Sequence, residues 1–205
     1  LLYILKHVQM GGITSVLLTR LNNLCLINDY SIHILTEFDN DEKIQSKFDA
    51  RIKFHCIHVD QFINNKTIPI IGYKPLIKKI KKKYVLEIDK IKPDIITGFG
   101  WGYYNEILPT ILPNIKKVKE FHNSYASLGS IVPKPKNILK RIIFNYRNES
   151  KNKFDLGYDA YVTLTKRDKN DRKHLKGNVF VIPNGLPSVT EKIERKNIEE
   201  NKQVI

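Results

Sequence analysis

"LLYILKHVQMGGITSVLLTRLNNL" (residues 1–24) opens on an apolar run and passes through a Gly-Gly joint. Beyond it, Ile13, Val16, Leu17, Leu21 and Leu24 recur at helical spacing. Residues 1–8 read as a buried strand, and residues 13–27 as a helix. A strand that turns straight into an apolar helix is the opening unit of an α/β chain. The joint is unusual because no Ser, Thr, Asp or Asn stands between Gly11–Gly12 and the helix. The first N–H groups of a helix have no partner within it, and a short polar side chain ordinarily satisfies one of them. With glycine there, the donors stay bare, and the natural guest is an anion, above all a phosphate.

The same alternation continues along the chain. Strands are expected at 30–38, 51–59, 94–99, 116–123, 159–165 and 178–184. The clearest helix spans 74–93. Its Ile77, Ile80, Tyr84, Ile88 and Ile91 form one stripe, and Pro93 ends it. A short helix near 103–112 should bend at Pro109, and another is expected at 137–148, after a loop at 124–136. Between the last two strands lies a short charged helix. This order predicts a mainly parallel sheet with helices on both faces. In such sheets ligands bind beyond the carboxyl ends of the strands, so the loops to watch are those at Gly11, Gly98, His122 and Thr165. After Gly185 the chain turns polar. Residues 1–185 read as one domain, and 186–205 as a linker running into a further strand.

Composition narrows the function classes. The 205 residues suffice for one large domain or two small ones, and 41% apolar content supports a sizeable core. The formal charge of +14 points to an anionic partner, although abundant Lys, Asn and Ile beside scarce Arg also carry the mark of an AT-rich genome. No nucleic-acid-binding motif occurs, so no nucleic-acid partner is expected. No signal peptide or membrane-length apolar run is evident. Cys25 and Cys56 match no metal spacing and are expected as buried free thiols in a reducing cytoplasm.

Two basic helices stand out. One carries Lys78, Lys79, Lys81, Lys82 and Lys83 opposite its apolar stripe. The other region holds Lys134, Lys136, Lys140, Arg141 and Arg147, beside the His122 loop. Either could be a solvated face, or could lie on an anionic membrane surface. "GFGWGYY" (98–104) imitates a dinucleotide fingerprint, with Glu120 near the distance for a ribose ligand. Yet the third glycine position holds Tyr103, and the strand is the fourth, not the first. His122 closes "KEFHN" at a strand's carboxyl end, where an imidazole can meet a ligand or move a proton.

"MGGITSVLLTRLNNL", "KPDIITGFG", "EFHN" and "YDAYVTLTKRDKNDRKHLKGNVFVIPNGLP" together resemble the N-terminal half of a GT-B glycosyltransferase. They are most similar to family 4, the retaining enzymes that use nucleotide sugars. The last stretch carries most of the likeness, which covers about residues 1–187. The resemblance implies a Rossmann-like, acceptor-side domain. Gly11, Gly12 and Ile13 would face the donor's phosphates and the acceptor, with Asn123 and Thr165 at the same edge. His122 would contact the transferred sugar. The co-substrate would be a nucleotide sugar, with no other cofactor and no bound metal, because basic groups and helix dipoles stabilise the leaving diphosphate. The acceptor would be a saccharide or a lipid-linked sugar of a cell-surface polysaccharide or glycolipid. The free thiols and the basic segments, for their part, lead to an expected cytoplasmic location, peripheral at the inner face of the plasma membrane. Family members carry most donor contacts on a second domain, through a basic pair and a Glu-x7-Glu motif. Residues 1–205 alone are therefore expected not to turn over. The competing expectation is a non-catalytic Rossmann-like binding or scaffolding domain at a membrane surface.

Overall fold

The computed structural model describes residues 1–27, 30–62, 70–123 and 155–184. The expected helix at 137–148, the basic residues Lys134, Lys136, Lys140, Arg141 and Arg147, and the segment 186–205 lie outside them. Seven strands form one sheet: β1 (Leu2–Leu5), β2 (His33–Thr36), β3 (Lys53–Cys56), β4 (Ile95–Phe99), β5 (Lys116–Phe121), β6 (Ala160–Thr163) and β7 (Asn178–Val181). Their order is β3-β2-β1-β4-β5-β6-β7, and every pairing is parallel. The chain winds outward from β1 to β3, then returns to β4 on the other side of β1. The topological switch point thus lies between β1 and β4, where a ligand crevice is expected.

The helices are α1 (Gly12–Cys25), α2 (Glu42–Gln45), α3 (Ile70–Ile91), α4 (Tyr104–Ile107) and α5 (Lys166–Asp171). Among the described residues, no helix is long and apolar enough to cross a membrane. The strands are shorter than their sequence patterns because apolar residues continue past the ladders into buried loops; Ile57 and Val59 follow β3 this way. Pro109 acts as expected: α4 gives way to a 3₁₀ turn at Leu108–Thr110. The short α2 has no apolar stripe to announce it and is held by Asp41, whose carboxylate accepts from the N–H of Lys43 and Ile44.

Two cores sandwich the sheet. Leu2 and Ile4 of β1 face the layer built on Ile80, Tyr84 and Ile88 of α3. Tyr3 and Leu5 face the opposite layer, built on Leu17 and Leu21 of α1. Alternate residues of one strand therefore serve both cores, which is why β1 is apolar throughout. Each fully buried aliphatic side chain contributes about 1.5–3 kcal/mol. Strand β5 is the exception, with Lys117, Lys119 and Glu120 buried. Each has a partner: carbonyls of Leu112 and Ile115 for Lys117, Asp155 for Lys119, and Arg20 for Glu120.

Candidate functional site

The loop after β1 is tied down before it reaches the glycines. The Val8 N–H donates to Asn40 Oδ1 at 2.8 Å, and the Asp41 N–H donates to the Val8 carbonyl at 2.9 Å. Beyond Met10, which is 77% exposed, α1 begins. Gly11 is its N-cap, with extended backbone, no side-chain cap, and no acidic residue in the first turn. Both glycines are exposed. A Cβ built on Gly11 or Gly12 would meet nothing within 4 Å, and neither residue lies in the left-handed region. Neither packing nor conformation requires glycine here. An open depression of about 530 Å³ adjoins the loop, lined by Gln9, Met10, Asp39, Asn40 and Asp41.

Across the switch point the loop after β4 obeys a different rule. Gly100 has φ +93°, and a Cβ there would touch Ile13 Cδ1 at 3.4 Å. A Cβ on Gly102 would lie 2.6 Å from the Tyr104 ring and 2.8 Å from Glu37 Oε1. Tyr104 is fully buried, so these glycines make room for it and turn the chain over it. The fingerprint-like spacing of 98–104 is thereby explained by protein packing. Trp101, half exposed, stands at the rim.

Beneath this loop lies Glu37, the residue after β2 and wholly buried. Its Oε1 accepts from the Tyr84 hydroxyl at 2.9 Å and the Tyr104 N–H at 2.8 Å. Burial pushes its carboxyl up to about 7, against the pull of the hydrogen bonds it accepts. Glu37 links the end of β2 to α3 and to the loop after β4. Nothing in the sequence marks it, because one acidic residue after an apolar strand reads as an ordinary loop residue.

His122 follows β5. Its side chain is 3% exposed, and its Nε2 lies 3.2 Å from Glu120 Oε2. The ring packs on Phe99, centroid to centroid at 4.0 Å. Nδ1 is buried with no hydrogen-bond partner among the described residues. Glu120 is held in turn by Arg20 of α1, whose Nη1 reaches both carboxylate oxygens at 2.6 Å. The guanidinium also lies 5.7 Å from the centre of the Phe99 ring. The helix that begins at Gly11–Gly12 therefore also positions His122, through Arg20 and Glu120. With its carboxylate committed to Arg20 and His122, Glu120 is not free to take a ribose.

The remaining sequence candidates have local duties. The Thr165 hydroxyl caps α5, accepting from the Asp168 N–H at 3.0 Å. The Asn123 side chain is exposed, and its carbonyl accepts from Arg172 Nη2 at 2.9 Å. Arg172 also lies over the Phe121 ring, fastening the end of β5 to α5. Ile13 lies where a side chain on Gly100 would meet it, facing the loop after β4. Cys25 is buried as expected, but Cys56 is only half-buried, because β3 ends there and its side chain reaches the carboxyl edge. Among the described residues, one group carries metal-ligand donors: Asp39, Cys56 and His58.

No family model matches the sequence. No curated protein matches it either. Solved structures do. WaaG, a glycosyltransferase involved in lipopolysaccharide biosynthesis, is similar over 92% of this chain and 46% of its own, with TM-score 0.57 and 14% identity. Sucrose-phosphate synthase from Thermosynechococcus elongatus is similar over 89% of this chain and 47% of its own, with TM-score 0.56 and 10% identity. The chain spans about half the length of each. At these identities the likeness establishes the fold: a Rossmann-like parallel sheet such as glycosyltransferases of the GT-B kind contain.

Proposed function

We propose that this chain is the acceptor-side half of a retaining, family 4 glycosyltransferase. It moves a sugar from a nucleotide-sugar donor to a saccharide or lipid-linked acceptor of a cell-surface polysaccharide or glycolipid. One observation carries the reading: Gly11 and Gly12 are glycines that neither packing nor backbone conformation demands, at an uncapped helix start on the switch point. A residue type that the protein itself does not need is accounted for by close approach of a ligand to the backbone. Likeness of fold to two enzymes of sugar chemistry supports the same conclusion.

In the reaction the bond between the anomeric carbon and the diphosphate breaks. A bond from that carbon to an acceptor oxygen forms, and the acceptor proton leaves with the diphosphate. The amides of Gly11, Gly12 and Ile13 would donate to the oxygens on which charge collects, aided by the positive end of the α1 dipole. His122, held by Glu120 and through it by Arg20, would contact the transferred sugar. A second lobe would supply the rest of the donor site. The basic segment at 134–147 is the candidate contact with an anionic cytoplasmic membrane surface.

The test has two parts. Nucleoside diphosphates titrated into the ¹⁵N-labelled chain should shift the Gly11, Gly12 and Ile13 amides first. The gene product that carries this chain should release a nucleoside diphosphate from one nucleotide sugar of a panel when acceptor is present. Unmoved amides in the first experiment, or saturable NADH binding in their place, would refute the reading.

A further inference from the structure

We propose that Asp39, Cys56 and His58 form a binding site for a thiophilic divalent cation of the zinc type. The three residues lie beyond the carboxyl ends of two paired strands. Cys56 is the last residue of β3, in register with Thr36 at the end of β2. His58 follows two residues later, and Asp39 lies three residues past β2. No local spacing motif reveals the set, because parallel pairing, not chain proximity, assembles it. Asp39 also lines the depression beside the Gly11 loop, but the donor set is assembled by β2 and β3, and its existence does not depend on the glycosyl-transfer reading.

The donor atoms already converge. His58 Nδ1 lies 2.9 Å from Asp39 Oδ1, and Cys56 Sγ lies 3.8 Å from the same oxygen. All three donors fall within 4.8 Å of one another. A tetrahedral zinc ion, with bonds of about 2.0–2.3 Å, would place its ligand atoms roughly 3.3–3.7 Å apart. Small side-chain rotations span that difference, and the side chains have room: His58 is 46% exposed and Asp39 73%.

The surroundings of the sulfur suit a metal thiolate. The His58 N–H points at Cys56 Sγ, 3.4 Å away. A donor of this kind supports a coordinated thiolate and fixes its orientation. To make the turn from Cys56 to His58, the histidine adopts φ +50°, uncommon for a residue with a side chain. That turn carries the imidazole back toward the thiol. Sulfur, imidazole and carboxylate together favour zinc over magnesium or calcium, which take oxygen donors. Three protein ligands leave a tetrahedral ion one position for water or an anion. On binding, the Cys56 thiol loses its proton to solvent and the S–metal bond forms, with no change of oxidation state.

The test uses the reduced, metal-free chain and Co²⁺ as a spectroscopic probe, followed by competition with Zn²⁺. One equivalent of Co²⁺ should bind with micromolar or tighter affinity, giving a thiolate charge-transfer band and the visible bands of a tetrahedral ion. Zn²⁺ should displace it, and Mg²⁺ should not. Cys56→Ser should abolish the charge-transfer band, while Cys25→Ser retains it. Asp39→Asn and His58→Gln alter exposed side chains, so the fold is expected to persist by circular dichroism; each should weaken binding about tenfold or more. Absence of stoichiometric binding, a band that survives Cys56→Ser, or affinity unchanged by both Asp39→Asn and His58→Gln would overturn the proposal. Those results would leave a surface ion pair beside a free thiol.

Discussion

Replacing Gly11 with Asp should make the protein more stable and the anion site worse. Gly11 has the extended backbone of an ordinary N-cap, and a Cβ there meets nothing within 4 Å, so the aspartate fits without strain. Its carboxylate would accept from the bare N–H groups of the first turn of α1. Three effects add in the same direction. Asp exceeds Gly as a cap by a few tenths of a kcal/mol. A negative charge at the helix start contributes roughly 0.3–1 kcal/mol. Losing a glycine restricts the unfolded chain by a further ~0.4–1 kcal/mol. Allowing for overlap, the gain is about 1 kcal/mol, or roughly 2–4 °C in Tm for a domain of this size. The same carboxylate occupies the donors that an anion would use. Hydrogen bonds from amides to a charged group are worth about 1.5–3 kcal/mol, so pyrophosphate affinity should fall at least about tenfold. Differential scanning fluorimetry reads the first quantity, and an amide-shift titration reads the second. A fall in Tm would show that the helix start is not free to accept a cap. A rise in Tm with pyrophosphate affinity unchanged would show that these amides do not hold the anion.

Other outcomes follow from the same geometry. Gly12→Ala should be neutral or stabilising by up to ~1 kcal/mol, whereas Gly102→Ala, driven 2.6 Å from the Tyr104 ring, should cost about 1–3 kcal/mol by urea denaturation. Glu37, with its carboxyl raised to about 7 by burial, binds a proton more tightly folded than unfolded. Its contribution is therefore complete below the unfolded value near 4.5 and is lost as pH rises through 7, a change of about 3 kcal/mol. Glu37→Gln should flatten the decline of stability across that window, measured by denaturant midpoints from pH 4 to 8; an unchanged profile would show that Glu37 is not the titrating group. Arg20→Met strands a Glu120 side chain only 6% exposed and should cost about 3 kcal/mol. The double variant with Glu120→Gln should recover most of that loss in a mutant cycle.

The parallel sheet was legible in the sequence because buried strands and amphipathic helices differ in period. Both stripes were found where they lie: Leu17 and Leu21 on one face, Ile80, Tyr84 and Ile88 on the other. The strand ends were not legible, since Ile57 and Val59 stay buried after β3's ladder stops. The uncapped helix at Gly11–Gly12 was visible as a missing polar residue. The clamp on His122 was not, because Arg20 and Glu120 are a hundred residues apart and meet only where α1 covers one face of the sheet. Glu37 escaped for the same reason. Its partners Tyr84 and Tyr104 read as core aromatics, which they are, and their polar atoms gave no sign of a shared acceptor.

The electrostatics of the rim bear on how tightly this chain alone can hold a diphosphate. Net charge misleads here, because Arg20 of α1 has another use. Arg20 is committed to Glu120, and Lys6 lies over the Phe38 ring at 5.5 Å from its centre. What faces an anion at Gly11 is the end of α1, equivalent to about half a positive charge. Asp39 and Asp41, lining the adjoining depression, oppose it. A diphosphate carries several negative charges, so most of its neutralisation must come from groups outside the described residues, as a basic second lobe would provide. The isolated chain should therefore bind pyrophosphate only in the millimolar range, a free energy of about −4 kcal/mol. Affinity should fall further as salt screens the exposed helix end. Sub-micromolar binding to residues 1–205 would mean that this lobe holds a complete phosphate site, and the division of labour argued here would be wrong.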